Sequence, residues 1–399
     1  MWGFLYGWTL FMVIQTGTMA AVAVGFAKYT GVFFPWLSAQ HYLMGSGRLG
    51  LTTQQLLAIL VLVFLTWSNT RGIRTGANVQ NVFTFAKVAA LVGLVGIGFV
   101  VGRNAEAVAS NFHGFWRNSG WNFETVRLVG VAMVGALFSA DAWNNVTFTA
   151  GEVRNPRRNL PLSLALGVLI VCALYIAAQL VYLNVLTFPE IQNADQDRVA
   201  TAAALKMLGP VAVQLMAAAI MISTFGTINA LTLTGARVYY AMAQQKLFFP
   251  FAGRLNSANV PASSLTLQGL WAAALVLPRV YSPATQSWGN LYSDLLEYVI
   301  SAALIFYVLT VAGVFRLRLV RPDAPRPYRT LGYPFVPAFY ITAATAILLV
   351  LFVYRPSTTW PGLLIVLIGI PIYLAIRRNS VRPQAELAPV RDTRLQKTD

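Results

Sequence analysis

Charges that sit where charge is expensive point first to chemistry. Asp141, with Ser139 before it and Asn144 and Asn145 after it, interrupts a run that is apolar from Val126 to Phe138 and turns apolar again beyond. A carboxylate at the centre of a spanning helix costs about 2.5–3.5 kcal/mol on insertion scales, so such a residue is a functional-site hypothesis by default. The helix is expected to break at Ser139. Unwound backbone exposes carbonyls and amides that lipid cannot satisfy, and it is tolerated only where protein buries it or a watery cavity meets it. In transporters, discontinuous helices near the bilayer midplane are where substrate binds. Lys87 is the second such charge, inside NVFTFAKVAALVGLVG. It lies about two turns from the helix end, and two readings stand: an anchor that snorkels to the interface, or a fixed or titrating charge facing the protein interior.

Weaker polar signals lie in other apolar runs. Ser223-Thr224-Phe225-Gly226-Thr227 and Asn229 form a hydroxyl-rich stretch that either packs and bonds back to its own helix or lines a cavity. Gln15-Thr16-Gly17-Thr18 carries the same pair of readings. Asp294 and Glu297 open an apolar segment, where acidic side chains suit a helix N-terminus better than a substrate site. The only histidines, His41 and His113, fall in loops, and the one cysteine, Cys172, lies in an apolar helix. No Cys-His or paired-carboxylate constellation stands at helical spacing, so a membrane-embedded enzyme, an internal disulfide and a multi-cysteine metal site are all disfavoured.

The elements that must hold these residues are membrane helices. Of 399 residues, 57% are hydrophobic and 11% charged, with a mean hydropathy of +0.61, too apolar for an ordinary soluble domain. About ten segments are long and apolar enough to span, near 2–27, 53–70, 79–101, 125–149 (broken), 161–186, 206–240, 263–280, 291–314, 335–354 and 361–377. The net charge of +16 is explained by topology, since 19 of the 29 Lys and Arg residues fall on one side of these segments and 9 on the other. That side is cytoplasmic by the positive-inside rule, both termini lie there, and a nucleic-acid role is disfavoured. Gly45-Ser46-Gly47 reads as a flexible connection between helices, and the basic stretch after Arg378 as a disordered cytoplasmic tail. No signal peptide is visible, and the short loops suit a bacterial inner membrane protein.

FSADAWNNVTFTAGEVRNPRRNLP, from Phe138 to Pro161, resembles the broken-helix signature of the amino acid-polyamine-organocation superfamily, in particular its L-type amino acid transporter branch and bacterial relatives. QNVFTFAKVAAL around Lys87, STFGTINALTLTGARVYYAMAQ from Ser223 and PYRTLGYPFVPAFYI from Pro327 agree, in the family's order and over nearly the whole chain to about Arg378. The resemblance implies an all-α polytopic membrane protein with a LeuT-like inverted-repeat (5+5) fold, here incomplete. The chain is similar to the family from its third helix onward: residues 1–102 match a partial first repeat, 125–314 a second repeat, 335–377 two additional helices, and 379–399 a tail. Either the start lies upstream of Met1, or this is a shortened product lacking half its site.

The same resemblance implies an amino acid permease working by alternating access, a secondary transporter and not an enzyme. Its substrate-binding residues would be Phe138, Ser139, Asp141 and Trp143. The carbonyls of Phe138, Ser139 and Asp141 surround an α-ammonium, Phe138 gates from above and Trp143 packs beneath. Asp141 either favours cationic substrates or caps the second half-helix; capping is preferred, and neutral amino acids are the first expectation. Lys87 would stand where related sodium-coupled transporters hold their cation, reaching toward Ser223 and Thr224, which implies sodium-independent exchange or proton-linked uptake. The implied partners are an amino acid and the lipid bilayer, without nucleic acid or cofactor, and an accessory subunit stays open. The alternative is a non-transporting fragment or accessory membrane subunit.

Overall fold

The computed structural model describes residues 1–113, 120, 122–195, 198–282, 287–290, 292–326 and 328–380; for 49, 73–79, 282, 287–290, 292–294 and 377–380 it describes the backbone alone. The predicted tail beyond residue 380 and the side chain of Asp294 lie outside the described residues. Among the described residues, nine helices are long and apolar enough to cross a membrane, and the shorter apolar helix Ala262–Val276 makes the tenth expected segment. The chain is an all-α polytopic membrane protein.

The first span is continuous from Trp2 to Thr30 but not uniform. It is built from α1 (Trp2–Thr9), a π-helical turn Leu10–Ile14 and α2 (Gln15–Thr30). Nothing in Leu10-Phe11-Met12-Val13-Ile14 marks the turn in advance. Its carbonyls are nonetheless used: Thr16 Oγ1 donates to Phe11 O at 2.7 Å and Trp271 Nε1 to Met12 O at 2.9 Å. This span is the centre of the molecule, with 78% of its most apolar window buried. Lipid is as apolar as leucine and offers no hydrophobic drive between helices, so small residues and interhelical hydrogen bonds bind them. Accordingly Ala20, Ala21, Ala23 and Ala27 are fully buried, with Leu62 of α3 (Thr53–Thr70) packed among them.

The segments that follow are α4 (Ile73–Val101), α5 (Ala105–Phe112), α6 (Phe123–Ser139) and α7 (Pro156–Val185). The long segment expected near 206–240 is one helix, whose start is displaced to Val211 because residues 206–208 close a separate helix. After α8 (Phe188–Gln192), α9 (Val199–Leu208) ends at Gly209, whose φ of 76° is left-handed, and Pro210 starts α10 (Val211–Gln244). The expected helix 263–280 is α11 (Ala262–Val276), stopped by Pro278. Then come α12 (Tyr292–Val320), α13 (Phe335–Tyr354) and α14 (Pro356–Ser380).

The Gly45-Ser46-Gly47 connection departs from expectation. It forms a hairpin of β1 (Tyr42–Met44) and β2 (Leu51–Thr52), in which Gly45 and Gly47 have φ of 66° and 60°. Arg279, on β3 (Arg279–Ser282) of a second hairpin with β4 (Ser287–Asn290), donates to Ala39 O at 2.8 Å and stacks over Tyr42, so this loop is tied down.

Polar groups in the core join helices. Gln15 Nε2 donates to Leu231 O at 2.9 Å and to Thr234 Oγ1 at 3.2 Å on α10; Gln268 Nε2 of α11 donates to Thr232 O at 2.6 Å. A side chain at Gly235 would meet Gln268 Oε1 at 2.6 Å and Gln15 Cγ at 2.7 Å, so glycine there lets α2, α10 and α11 meet. Glu297 takes the hydroxyl of Thr358 and lies 3.8 Å from Arg355, pinning α12 to α14.

Candidate substrate site

The break stands where the sequence placed it. α6 ends at Ser139, a turn covers residues 140–142, Ala142 is left-handed at φ 63°, and the chain resumes as a 3₁₀-helix, Trp143–Glu152, that buries no residue. A second left-handed residue, Asn155 at φ 49°, separates it from α7. Alanine in that region lacks glycine's freedom, so tertiary contacts must hold Ala142 there. At the far end, Glu152 accepts from Arg237 of α10 at 2.6 and 2.9 Å, while Arg237 also donates to Leu233 O at 2.5 Å.

Two residues at the break face other helices. Phe138 is half-buried and packs against three apolar clusters at once, around α1, around α2 and α3, and around α12 and α13. Asp141 accepts a hydrogen bond from Tyr307 Oη of α12 at 2.7 Å. It does not act as the expected cap: the cap residue of the 3₁₀-helix is Ala142, which makes no side-chain cap bond. Asp141 lies one residue too early, and its carboxylate is turned to Tyr307. Asn144 Nδ2 donates to Tyr6 Oη of α1 at 2.9 Å, and Tyr307 Oη stands 3.5 Å from Asn144 Oδ1. Tyr6 lies tilted against Phe306, ring centroids 5.2 Å apart, and Trp143, 44% exposed, stands 5.7 Å from the Tyr307 ring.

Tyr6, Tyr175 and Tyr307 carry no signal in the sequence that marks them as site residues, whereas Asn144 stands in the polar interruption itself. A phenol in an apolar helix is common, and their partners lie far away in the chain: 138 positions separate Tyr6 from Asn144 and 166 separate Asp141 from Tyr307.

The backbone at the break is partly spoken for. Phe138 O accepts the Asp141 amide at 3.1 Å, Ser139 Oγ turns back to Ala136 O at 2.9 Å, and Ser139 O accepts from Tyr175 Oη of α7 at 3.1 Å.

Lys87 is half-buried between α4 and α10. Its Nζ reaches Thr227 Oγ1 at 3.5 Å, the long limit of a hydrogen bond. Thr227 in turn donates to Ser223 O at 2.9 Å, and Thr224 Oγ1 to Ile220 O at 2.8 Å. The lysine therefore meets the hydroxyl stretch one turn beyond the expected Ser223 and Thr224. Gly226 permits the approach, because a Cβ there would stand 2.6 Å from Phe83 Cβ.

The amino acid permease family model matches residues 1–376. The chain belongs to the amino acid permease family. Among curated relatives of this permease, the serine/threonine exchanger SteT of Bacillus subtilis is 28% identical over 382 residues, 95% of this chain and 79% of that protein. The b(0,+)-type amino acid transporter 1 of Mus musculus is 26% identical over 357 residues, 89% of this chain and 67% of that one. The large neutral amino acids transporter small subunit 2 of Mus musculus is 28% identical over 378 residues, 93% of this chain and 65% of that one. These relatives are transporters and not enzymes.

Proposed function

We propose that this permease moves amino acids, neutral ones first, across a cell membrane by alternating access, through sodium-independent exchange or proton-linked uptake. The observation that carries the reading is the break at residues 140–142, a turn with left-handed Ala142 inside an otherwise apolar span. Carbonyls released there are oriented dipoles, and an α-ammonium supplies three donors to meet them. In this reading the carbonyls of Phe138, Ser139 and Asp141 receive the ammonium, Phe138 covers the bound molecule and Trp143 supports the segment from below. The Asp141 carboxylate is engaged by Tyr307 and serves the shape of the break more than the charge of the substrate, which favours neutral side chains.

Lys87 takes the part of a tethered cation between α4 and α10, and its contact with Thr227 supports that assignment. The basic face, with Arg154, Arg157, Arg158 and Arg237, is taken as cytoplasmic, in a bacterial inner membrane. The names of the relatives, a serine/threonine exchanger and large neutral amino acid transporters among them, support amino acids as cargo and exchange as the mode. A competition assay tests the proposal. Uptake of a labelled amino acid mixture into proteoliposomes holding the gene product that carries these residues is measured against unlabelled neutral, acidic and cationic amino acids. Neutral ones are expected to compete best; competition by lysine and arginine alone would overturn the assignment of Asp141.

A further inference from the structure

Of the carbonyls at the break, that of Ser139 is met from another helix. Tyr175 of α7 donates its hydroxyl to Ser139 O at 3.1 Å, while the serine's own hydroxyl bonds back to Ala136 O. Tyr175 is 37% exposed, and its bond to the carbonyl lies outside the packed core. α7 also packs against the 3₁₀-helix Trp143–Glu152, to which it is joined through left-handed Asn155. Tyr175 thus ties the last residue of α6 to the helix that follows the break.

We propose that Tyr175 is a positioning residue for the substrate amine: its hydroxyl takes one lone pair of the Ser139 carbonyl, fixes the direction of that oxygen, and leaves the second lone pair for an α-ammonium. The inference rests on the proposed reading of the break as the amine site. A carbonyl oxygen has two lone pairs, so phenol and ammonium are held together and need not compete for one. The Ser139–Ala140 peptide is held at its amide end, where Ala140 N–H donates to Ala136 O at 3.1 Å, and Tyr175 holds its carbonyl end. Fixing it beforehand removes an ordering cost from substrate binding. The chemistry recognised is a primary ammonium next to a carboxylate-bearing carbon, since the oxygen accepts and a group without N–H donors gains nothing from it.

Exchange of a labelled neutral amino acid in proteoliposomes tests this with Tyr175→Phe, which deletes the donor and keeps the ring. Tyr182→Phe, two turns along the same helix, is the control. Tyr175→Phe is expected to raise KM about fivefold, the change that loss of one hydrogen bond of about 1 kcal/mol gives. The maximal rate should stay within twofold, the unfolding temperature in detergent should not change, and Tyr182→Phe should alter neither kinetic constant. A deaminated analogue of the substrate should compete equally with wild type and Tyr175→Phe, a split that a merely structural role would not produce. An unchanged KM in Tyr175→Phe, or a loss of maximal rate alone, overturns the assignment of Tyr175 while leaving the permease reading in place. A wild-type protein that exchanges no amino acid overturns the permease reading itself, and this inference with it.

Discussion

Asp141 keeps a carboxylate inside an apolar span because Tyr307 donates to it. The phenol belongs to α12, so the bond also closes α12 against the break, and Asn144 extends the closure to Tyr6 on α1. Removing one partner of such a pair costs more than the pair contributes, since the remaining charge is left without its donor. Tyr307→Phe is therefore expected to destabilise the protein by about 1–3 kcal/mol, read as a shift of the chemical unfolding midpoint in detergent. Asp141→Asn in the same background should recover most of that loss, because a neutral amide is cheaper to leave unpaired. Equal stability of Tyr307→Phe and wild type would show that Asp141 finds its donor elsewhere.

Elements differ in how firmly they are held, and outside the membrane an ion pair does part of this. Glu190 of α8 accepts from Lys206 of α9 at 2.6 and 2.8 Å and from the Thr187 amide at 2.7 Å. The Lys206 ammonium first, and the Thr187 amide second, hold its carboxyl below the usual carboxylate range. A lowered folded pKa means the pair contributes at pH above the unfolded carboxylate value, roughly 4, and the contribution fades as pH falls through the lower folded value. A spin label at Asn193 is thus expected to gain mobility as pH drops from 6 to 3, and in Lys206→Met to be mobile already at pH 6 with little further change. Identical profiles in the two proteins would remove the ion pair from the account. At this scale the sequence was readable where a single residue contradicts its surroundings: Asp141 announced the break to within a residue. It was misleading where no residue does. The π-helical turn Leu10–Ile14 is uniformly apolar, and its register depends on Trp271 and Thr16 reaching its carbonyls. The Gly209-Pro210 step did carry a stop signal, but the apolar runs on both sides masked it. Gly45-Ser46-Gly47 gave the turn residues of a hairpin without the distant Arg279 that stabilises it.

Across the whole molecule, packing is uneven. The central span from Trp2 to Thr30 is 78% buried over its most apolar window, whereas those of α4, the span containing the break, and α7 are 11% buried. These are the helices that carry Lys87, Ser139, Asp141 and Tyr175. Their outward faces are open, while α4 packs along α10 and Phe138 packs against three apolar clusters. Glu152 and Arg237 join the 3₁₀-helix to α10 at an ion pair whose acidic side chain is 55% exposed, the kind of contact worth about 0.2–1 kcal/mol. The central claim, sodium-independent amino acid exchange supported by a tethered ammonium, is tested most directly by one flux measurement. Proteoliposomes bearing the gene product that carries these residues are loaded with unlabelled neutral amino acids, and entry of labelled substrate is followed with and without a sodium gradient, for wild type and Lys87→Ala. The account predicts wild-type entry that depends on the internal amino acid or on an inward proton gradient, ignores sodium, and falls at least tenfold in Lys87→Ala, the change produced by about 1.4 kcal/mol. Wild-type entry that follows the sodium gradient, or Lys87→Ala flux equal to wild type, would contradict it.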